Sequence, residues 1–143
     1  MTESRALYAD AMVSLFNNEE IAFDRRELED ESVFILTFGI DNAPGMIVRF
    51  IIDNSCSAKL RCRLFRNIPK EKSREVIRML NQINTQYRFI CFCLDDEGGL
   101  YATYDFNLHG ECNEAAAFSK EMIMLLLNIA DDAIPTIAKA LWN

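Results

Sequence analysis

Apolar and polar positions follow two periods along this chain, one typical of helices and the other typical of strands. Near the N-terminus the helical period predicts an amphipathic helix over about residues 4–16. Its apolar positions are Leu7, Ala11 and Leu15, with Tyr8, Met12 and Phe16 beside them. The mostly charged stretch that follows, residues 19–31, predicts a connection with a short extended piece near Ile21.

Three strands are predicted next, over residues 33–40, 46–53 and 58–65. The turns between them, at residues 41–45 and 54–57, permit hairpins and exclude parallel crossovers. The third strand alternates most clearly between apolar and basic side chains. Its apolar face holds Leu60, Cys62 and Leu64, and its other face holds Lys59, Arg61 and Arg63.

A helix, a hairpin and a long final helix are predicted for the rest of the chain. The second helix covers about residues 69–87, and its apolar stripe consists of Val76, Met79, Leu80 and Ile83. Strands at residues 89–94 and 100–108 flank an acidic and glycine-rich turn at residues 95–99. The last helix covers about residues 113–142.

Two features of the last helix need an explanation. Pro135 lies inside it, where a proline costs about 3 kcal/mol or more unless the helix kinks or restarts. A restart is expected, with Asp131 or Asp132 as the cap. The segment is also apolar on nearly every side, so it is either enclosed in the core or has a second binding face.

The order helix, three strands, helix, two strands, helix predicts an α+β fold. In this fold a single antiparallel sheet is packed by helices. The length of 143 residues and the absence of an interdomain linker or repeat predict one domain over residues 1–143.

The net charge of −7 argues against nucleic acid as a partner, because the chain repels phosphates at long range. The charge is unevenly distributed, since residues 1–48, 49–88 and 89–143 carry net charges of −7, +7 and −7. The basic middle third either balances the acidic ends internally or forms a docking face for an acidic partner. No apolar run is longer than residues 122–127, which are too short for a membrane span, so no membrane partner is expected.

The five cysteines do not form a disulfide pattern, because their number is odd and their spacing is irregular. The acidic N-terminus does not resemble a signal peptide. Both observations predict a cytoplasmic protein, in which most of the thiols are buried. The cysteines are Cys56, Cys62, Cys91, Cys93 and Cys112.

Candidate chemistry is sparse. His109 and Cys112 are close in sequence, but a loop histidine beside a glycine is usually solvated. Cys91 and Cys93 lack a second pair with metal-binding spacing, so core packing is expected for them. The acidic residues 95–97 lack the ligand spacing of a calcium loop. No catalytic residue, metal site or cofactor is predicted.

The basic stripe on the third predicted strand is the main candidate site. Lys59, Arg61 and Arg63 share one face, and Arg49 of the preceding strand joins them if the register allows. Like charges on adjacent strands repel by a fraction of a kcal/mol, which indicates acids nearby. Those acids come either from residues 19–31 or from a bound partner.

Several segments resemble one known family in pattern. They are Ile68-Pro69, Leu80-Asn81-Gln82-Ile83-Asn84, and Phe89 with the acidic-glycine hairpin after it. The chain is similar here to the YbjN-type family, which is labelled "putative bacterial sensory transduction regulator". The resemblance spans about residues 7–141 and implies a fold like that of type III secretion chaperones. Those chaperones are small, acidic, usually dimeric proteins that hold extended segments of other proteins, so the resemblance implies protein binding and no enzyme activity.

Asn81 and Asn84 lie three residues apart and therefore share a helix face. Asparagine is a mediocre helix former, so two of them in mid-helix indicate a use for their amides. One alternative is that they bond the backbone of a neighbouring strand. The other is that they grip the backbone of a bound peptide.

Two functions are consistent with these patterns. The first is a non-enzymatic, cytoplasmic protein-binding or chaperone-like regulator that holds a protein segment or associates with itself, for example as a homodimer. The alternative is a small-molecule sensor or enzyme that binds an anionic ligand through Arg49, Arg61 and Arg63.

Overall fold

Apolar side chains at alternate strand positions assemble one antiparallel sheet, and three helices cover its inner face. The computed structural model describes residues 1–142. In chain order the elements are α1 (Glu3–Asn18), β1 (Phe23–Glu27), β2 (Glu31–Ile40), β3 (Ala43–Asp53), β4 (Ser57–Phe65), a 3-10 turn (Lys70–Lys72), α2 (Ser73–Asn84), β5 (Cys91–Leu94), β6 (Leu100–Asn107) and α3 (Cys112–Trp142). The strands lie in the spatial order β1-β2-β3-β4-β6-β5, so β1 and β5 are the two edges. The predicted α+β class is confirmed.

The inner face of the sheet forms the core. Phe34, Phe50 and Leu60 are cross-strand neighbours on β2, β3 and β4, and each is 0% exposed. Burying a side chain of this size contributes roughly 1.5–3 kcal/mol. Phe16 of α1 packs on Phe34 with the ring centroids 5.8 Å apart. The helices therefore close this face, and the opposite face of the sheet is left uncovered.

The second helix buries the predicted stripe but is shorter than predicted. Val76, Leu80 and Ile83 are buried, and Met79 is half-buried beside them. The residues directly after Pro69 form the 3-10 turn, and the α-helix begins only at Ser73. Proline favours the start of helical structure because its missing N–H has no intrahelical partner there.

The connection predicted for residues 19–31 is wrong in part, because it contains the edge strand β1. Phe23 and Arg25 face the core side, opposite Leu36 and Phe34, while Asp24 and Arg26 face the other side. The guanidinium of Arg25 lies over the Phe34 ring, 5.7 Å from its centroid. The aliphatic stem of this arginine covers apolar surface, as an apolar side chain would. The alternation of β1 is therefore not visible as a pattern of apolar and polar residues.

The first helix buries two of its predicted apolar positions, Met12 and Phe16, but the rest of its buried stripe differs from the prediction. Arg5, Ala9, Met12 and Phe16 are its buried residues, whereas Leu7 is 53% exposed. An arginine at the start of the buried stripe is missed by apolar periodicity, since arginine is almost never fully buried unless it is paired.

The guanidinium of Arg5 is 0% exposed and donates five hydrogen bonds, the full capacity of the group. One goes to Ser32 Oγ at 3.0 Å and one to Asn54 Oδ1 at 2.6 Å. The others go to Glu27 Oε2 at 3.1 Å and to the carbonyl oxygens of residues 28 and 29. Arg5 thus ties α1 to both the β1–β2 turn and the β3–β4 turn.

The last helix does not restart at Pro135, and the expected capping by Asp131 or Asp132 is wrong. Proline leaves the carbonyl four residues earlier, that of Asp131, without its helical donor. The side-chain amide of Asn42, from the β2–β3 turn, donates to this carbonyl at 2.9 Å. Asp131 Oδ1 also accepts from the Asn42 backbone N–H at 2.8 Å, and Asp132 accepts from the Tyr87 hydroxyl.

The apolar residues of α3, which were predicted to lie either in the core or on a second binding face, are mostly buried but partly exposed. Ile123 and Leu127 are buried against the rest of the core, whereas Phe118 is 43% and Met124 is 38% exposed. Most of the apolar surface of α3 is therefore core, with a few apolar side chains left outside. Within residues 1–142, none of the helices combines the length and the apolar character that a membrane span requires.

Candidate functional site

The basic stripe lies on the uncovered outer face of the sheet. Antiparallel pairing places Arg49 of β3 directly opposite Arg61 of β4. On the other side of β4, Lys59 lies opposite Asp105 and Arg63 lies opposite Tyr101 of β6. The register therefore brings all four predicted basic residues onto one surface.

Few acids compensate these charges. Arg61 binds Asp105 through two nitrogens, with N···O distances of 2.6 Å and 3.3 Å. Within residues 1–142, Arg49, Lys59 and Arg63 make no ion pair within 4.0 Å. Burial alone would raise the pKa of Asp53, but bonds from Ser55 and Ser57 and the charge of Lys59 hold this pKa below its usual value.

The acids of residues 19–31 were one predicted source of compensation, but within residues 1–142 none of them forms an ion pair with the basic stripe. Glu19 pairs with Lys120 at 2.6 Å, and Glu27 pairs with Arg5 at 3.1 Å and with Arg25 at 2.6 Å. Compensation inside the chain thus comes chiefly from Asp105. The two unpaired arginines keep their donors available to solvent or to a ligand.

A shallow groove of about 280 Å³ opens at the end of the basic stripe. We call it the arginine groove, because Arg49, Arg61, Arg63 and Arg66 line it, together with Tyr101, Leu64 and residues 43–47. The start of β3 forms one wall, where Gly45 has a φ of +70°. The groove combines four guanidinium groups with a phenol and several apolar atoms.

Arg66 was missed by the sequence reasoning, which treated the alternation of β4 as regular. The β4–β6 pairing shifts register between Arg63 and Phe65, which is the mark of a bulge. The extra residue changes the phase of the alternation, so Phe65 points inward and Arg66 reaches the groove. The signal in the sequence was the run Leu64-Phe65, which breaks strict alternation.

Apolar side chains border the arginines on the same face. Ile35 lies opposite Arg49, and Ile51 lies opposite Lys59. Ile47, which lines the groove, is 50% exposed. The outer face is therefore a mixed surface with an apolar strip on β2 and β3 and a basic strip on β4.

The two asparagines of α2 lie away from the groove and differ from each other. Asn84 donates to the Phe92 carbonyl at 3.0 Å and accepts from the Phe92 N–H at 2.7 Å. This is the strand contact that one of the two alternatives expects. Asn81 is exposed, and its amide makes no hydrogen bond within the described part of the chain.

The expectation of core packing for Cys91 and Cys93 is wrong, because both are exposed on the outer face of the edge strand β5. Burial and the neighbouring Cys91 raise the pKa of the Cys93 thiol, while Arg61 opposes the shift. Only Cys62 is fully buried, and burial raises the pKa of its thiol to about 12. The default of buried thiols therefore holds at one position of the five.

The remaining candidates have local roles. His109 Nδ1 lies 3.4 Å from the Asn107 carbonyl oxygen, and no bond joins this ring to Cys112 among residues 1–142. Asp95 Oδ1 accepts from the N–H groups of Glu97 and Gly99 at 2.9 Å and 2.8 Å, which shapes the hairpin turn. The described residues contain no cluster of three or more His, Cys, Asp and Glu side chains that could hold a metal ion.

Comparison with known proteins gives one family and one fold. The family model of YbjN, "Putative bacterial sensory transduction regulator", matches residues 9–141. The chain is similar in structure to YbjN from E. coli, described as "a putative transcription regulator", with a TM-score of 0.61 and 11% sequence identity. That likeness covers 87% of this chain and 90% of the other.

Such low identity shows a shared fold and nothing finer. No curated protein matched the sequence. The family description concerns regulation and names no enzymatic activity. The family match covers nearly the whole chain, and this protein belongs to the YbjN family.

Proposed function

We propose that this protein is a non-enzymatic regulator that holds an acidic segment of another protein on the outer face of its sheet. One observation carries the proposal. Arg49 and Arg61 are directly opposed in register, Arg63 and Arg66 join them at the arginine groove, and Asp105 is the one carboxylate that pairs with them in residues 1–142.

The energetics favour a partner that supplies carboxylates. Opposed like charges cost a fraction of a kcal/mol in a sheet. An exposed arginine–carboxylate pair contributes only about 0–1 kcal/mol to stability, so the cluster does little for the fold. Charges of this kind mainly select a partner and set its orientation.

The apolar strip supports a protein segment as the occupant. Ile47 and its half-buried neighbours Ile35 and Ile51 offer contact area beside the arginines. A segment with alternating acidic and apolar side chains presents both features at strand spacing. Regulation in this proposal operates through contact with a protein, in line with the regulatory description of the family. The cytoplasmic location stays a prediction.

A direct test uses a fluorescein-labelled peptide of alternating Glu and Leu, with fluorescence anisotropy as the readout. We expect saturable binding that weakens with salt and falls at least tenfold in Arg49→Glu and Arg61→Glu, which is about 1.4 kcal/mol for each. Lys70→Glu, an exposed cation outside the groove, is the matched control and should leave the affinity unchanged. Equal affinity in all variants, or equal binding of a Lys-Leu peptide, would overturn the proposal.

The concavity of the groove favours a second candidate, a small anionic ligand. Its volume of about 280 Å³ is close to the lower limit for small-molecule sites. Pyrophosphate and ATP serve as probes in a thermal-shift assay. Stabilisation by several degrees that is lost in Arg61→Glu, together with no binding of the Glu-Leu peptide, would favour this candidate over a protein segment.

A further inference from the structure

The two edge strands of the sheet differ in whether another element bonds their outward backbone groups. At β5 the outward backbone groups of Phe92 are bonded to the Asn84 amide, so α2 blocks this edge. At β1 no element pairs with the outward side within the described residues. An unpaired strand edge is a template for another strand.

Hairpin geometry decides which groups of β1 face outward. Leu28 N–H bonds the Glu31 carbonyl at 2.8 Å, which makes these residues a hydrogen-bonded pair across the β1–β2 turn. In an antiparallel ladder such pairs recur at every second residue, so Arg26 and Asp24 also bond β2. Phe23, Arg25 and Glu27 therefore direct their N–H and C=O groups away from the sheet.

We propose that β1 pairs with β1 of a second copy of this chain, antiparallel and about a twofold axis at Arg25. Outward-bonding residues must face one another across the new ladder, and only the register centred on Arg25 pairs the whole of the five-residue strand. In that register Asp24 of each copy faces Arg26 of the other. This inference is independent of the proposed function.

Charge complementarity supports a second copy as the occupant. Asp24 and Arg26 are exposed on the outer face, and neither has an ion-pair partner in residues 1–142. The proposed register gives each of them an opposite charge, at a non-hydrogen-bonded pair where side chains come closest. In this register Arg25 faces Arg25 of the second copy. Each of these arginines already pairs with Asp10 at 3.1 Å and with Glu27 at 2.6 Å of its own chain, and these carboxylates offset the repulsion between the two guanidinium groups.

The blocked edge at β5 limits the assembly to two copies. A dimer joined through β1 has a continuous sheet of twice six strands, and both of its ends are closed by Asn84. The twofold axis stands perpendicular to the sheet, so the arginine grooves of both copies open on the same face. The expected species is a closed dimer and not a fibre.

Sedimentation velocity over a concentration series tests the pairing. We expect a species of twice the 16.4 kDa chain mass that dissociates on dilution. Arg26→Asp opposes two carboxylates and Asp24→Arg opposes two guanidiniums, so each variant alone should be monomeric. An equimolar mixture of the two restores both ion pairs and should recover the dimer. Arg63→Asp, on the same face but away from β1, is the matched control and should dimerise like the parent chain.

The mixture makes the test independent of folding failure in one variant, which circular dichroism also monitors. A parent chain that is monomeric up to millimolar concentration would overturn the pairing. Dimers that persist in both single variants, or a mixture that stays monomeric, would overturn it equally.

Discussion

Arg5 and Arg49 place the same guanidinium group in two opposite settings of one sheet. Arg5 is fully buried, and its five donors all end on oxygens of the same chain. Arg49 is exposed, faces Arg61, and has no ion-pair partner in residues 1–142. The contrast separates charge that organises the fold from charge that the fold does not need.

The difference also explains why the two arginines call for different experiments. A buried charge with complete hydrogen bonding is expensive to break, because its partners are left in a low-dielectric environment. An exposed charge beside a like charge contributes little to folding, and a role outside the chain is therefore what we propose for Arg49. Stability measurements should therefore respond to Arg5, and binding measurements should respond to Arg49.

The largest effect is expected for Arg5→Leu. Removal of the guanidinium takes the Arg5 donor from Asn54 and from two backbone carbonyls, and it leaves Glu27 with Ser32 and Arg25 alone. We therefore expect a loss of about 3–5 kcal/mol in the free energy of unfolding. Urea denaturation measures it. Arg5→Lys keeps the charge with three donors and should fall in between. A loss below about 1 kcal/mol in Arg5→Leu would remove the contrast with Arg49.

Asn84→Ala comes next, since Asn84 anchors α2 to the edge strand β5. Loss of both bonds leaves the outward N–H and C=O groups of the buried residue Phe92 without a partner, with an expected cost of about 1–3 kcal/mol. Asn81→Ala, at the exposed position of the pair, is the control and should change stability by less than about 0.5 kcal/mol. Equal effects at both positions would contradict the division of roles.

Glu27, which accepts a hydrogen bond from Arg5, should make the stability of the fold depend on pH. Burial raises the pKa of Glu27, but hydrogen bonds from Ser32, Arg25 and Arg5 outweigh it and leave this pKa lowered. Stability from the carboxylate is thus present above the unfolded pKa of about 4.3 and is lost as pH falls through the lower folded pKa.

Glu27→Gln should cost about 1 kcal/mol at neutral pH, a value discounted for the partial exposure of the carboxylate. The difference from the parent chain should shrink below pH of about 4. Chemical denaturation at a series of pH values measures this difference. A gap that does not change with pH would assign the effect to packing.

The smallest effect is expected for Arg49→Thr. Relief of the like-charge contact with Arg61, at a position that suits a β-branched residue, should leave stability unchanged or raise it by about 0.2–0.5 kcal/mol. Arg61→Thr loses the pair with Asp105 and should not gain stability. Both variants should lose affinity for the Glu-Leu peptide, which separates the binding role from the fold.

Much of the fold could be predicted from periodicity, because apolar spacing reports the faces that are buried. The stripe Val76, Leu80 and Ile83 in α2 is buried as expected. Arg5 and β1 were not predictable in this way, since both bury arginine stems in place of apolar side chains. Their stabilising contacts join distant parts of the chain, and local patterns do not contain that information.

The candidate site was predictable up to the point where register matters. Alternation in β4 placed Lys59, Arg61 and Arg63 on one face, and the β3–β4 pairing added Arg49. Arg66 and Cys93 could not be placed, because a bulge in β4 and the exposure of β5 depend on the neighbouring strands and helices. The roles of these residues stay predictions until binding is measured.

The hydrogen bond from the Asn42 side-chain amide to the Asp131 carbonyl couples the β2–β3 turn to α3, so the two segments depend on each other. A helix that carries Pro135 depends on a donor from outside, so loss of Asn42 should be better tolerated in a chain with alanine at position 135. In other members of the family, positions 42 and 135 are therefore expected to vary together, although they are far apart in sequence.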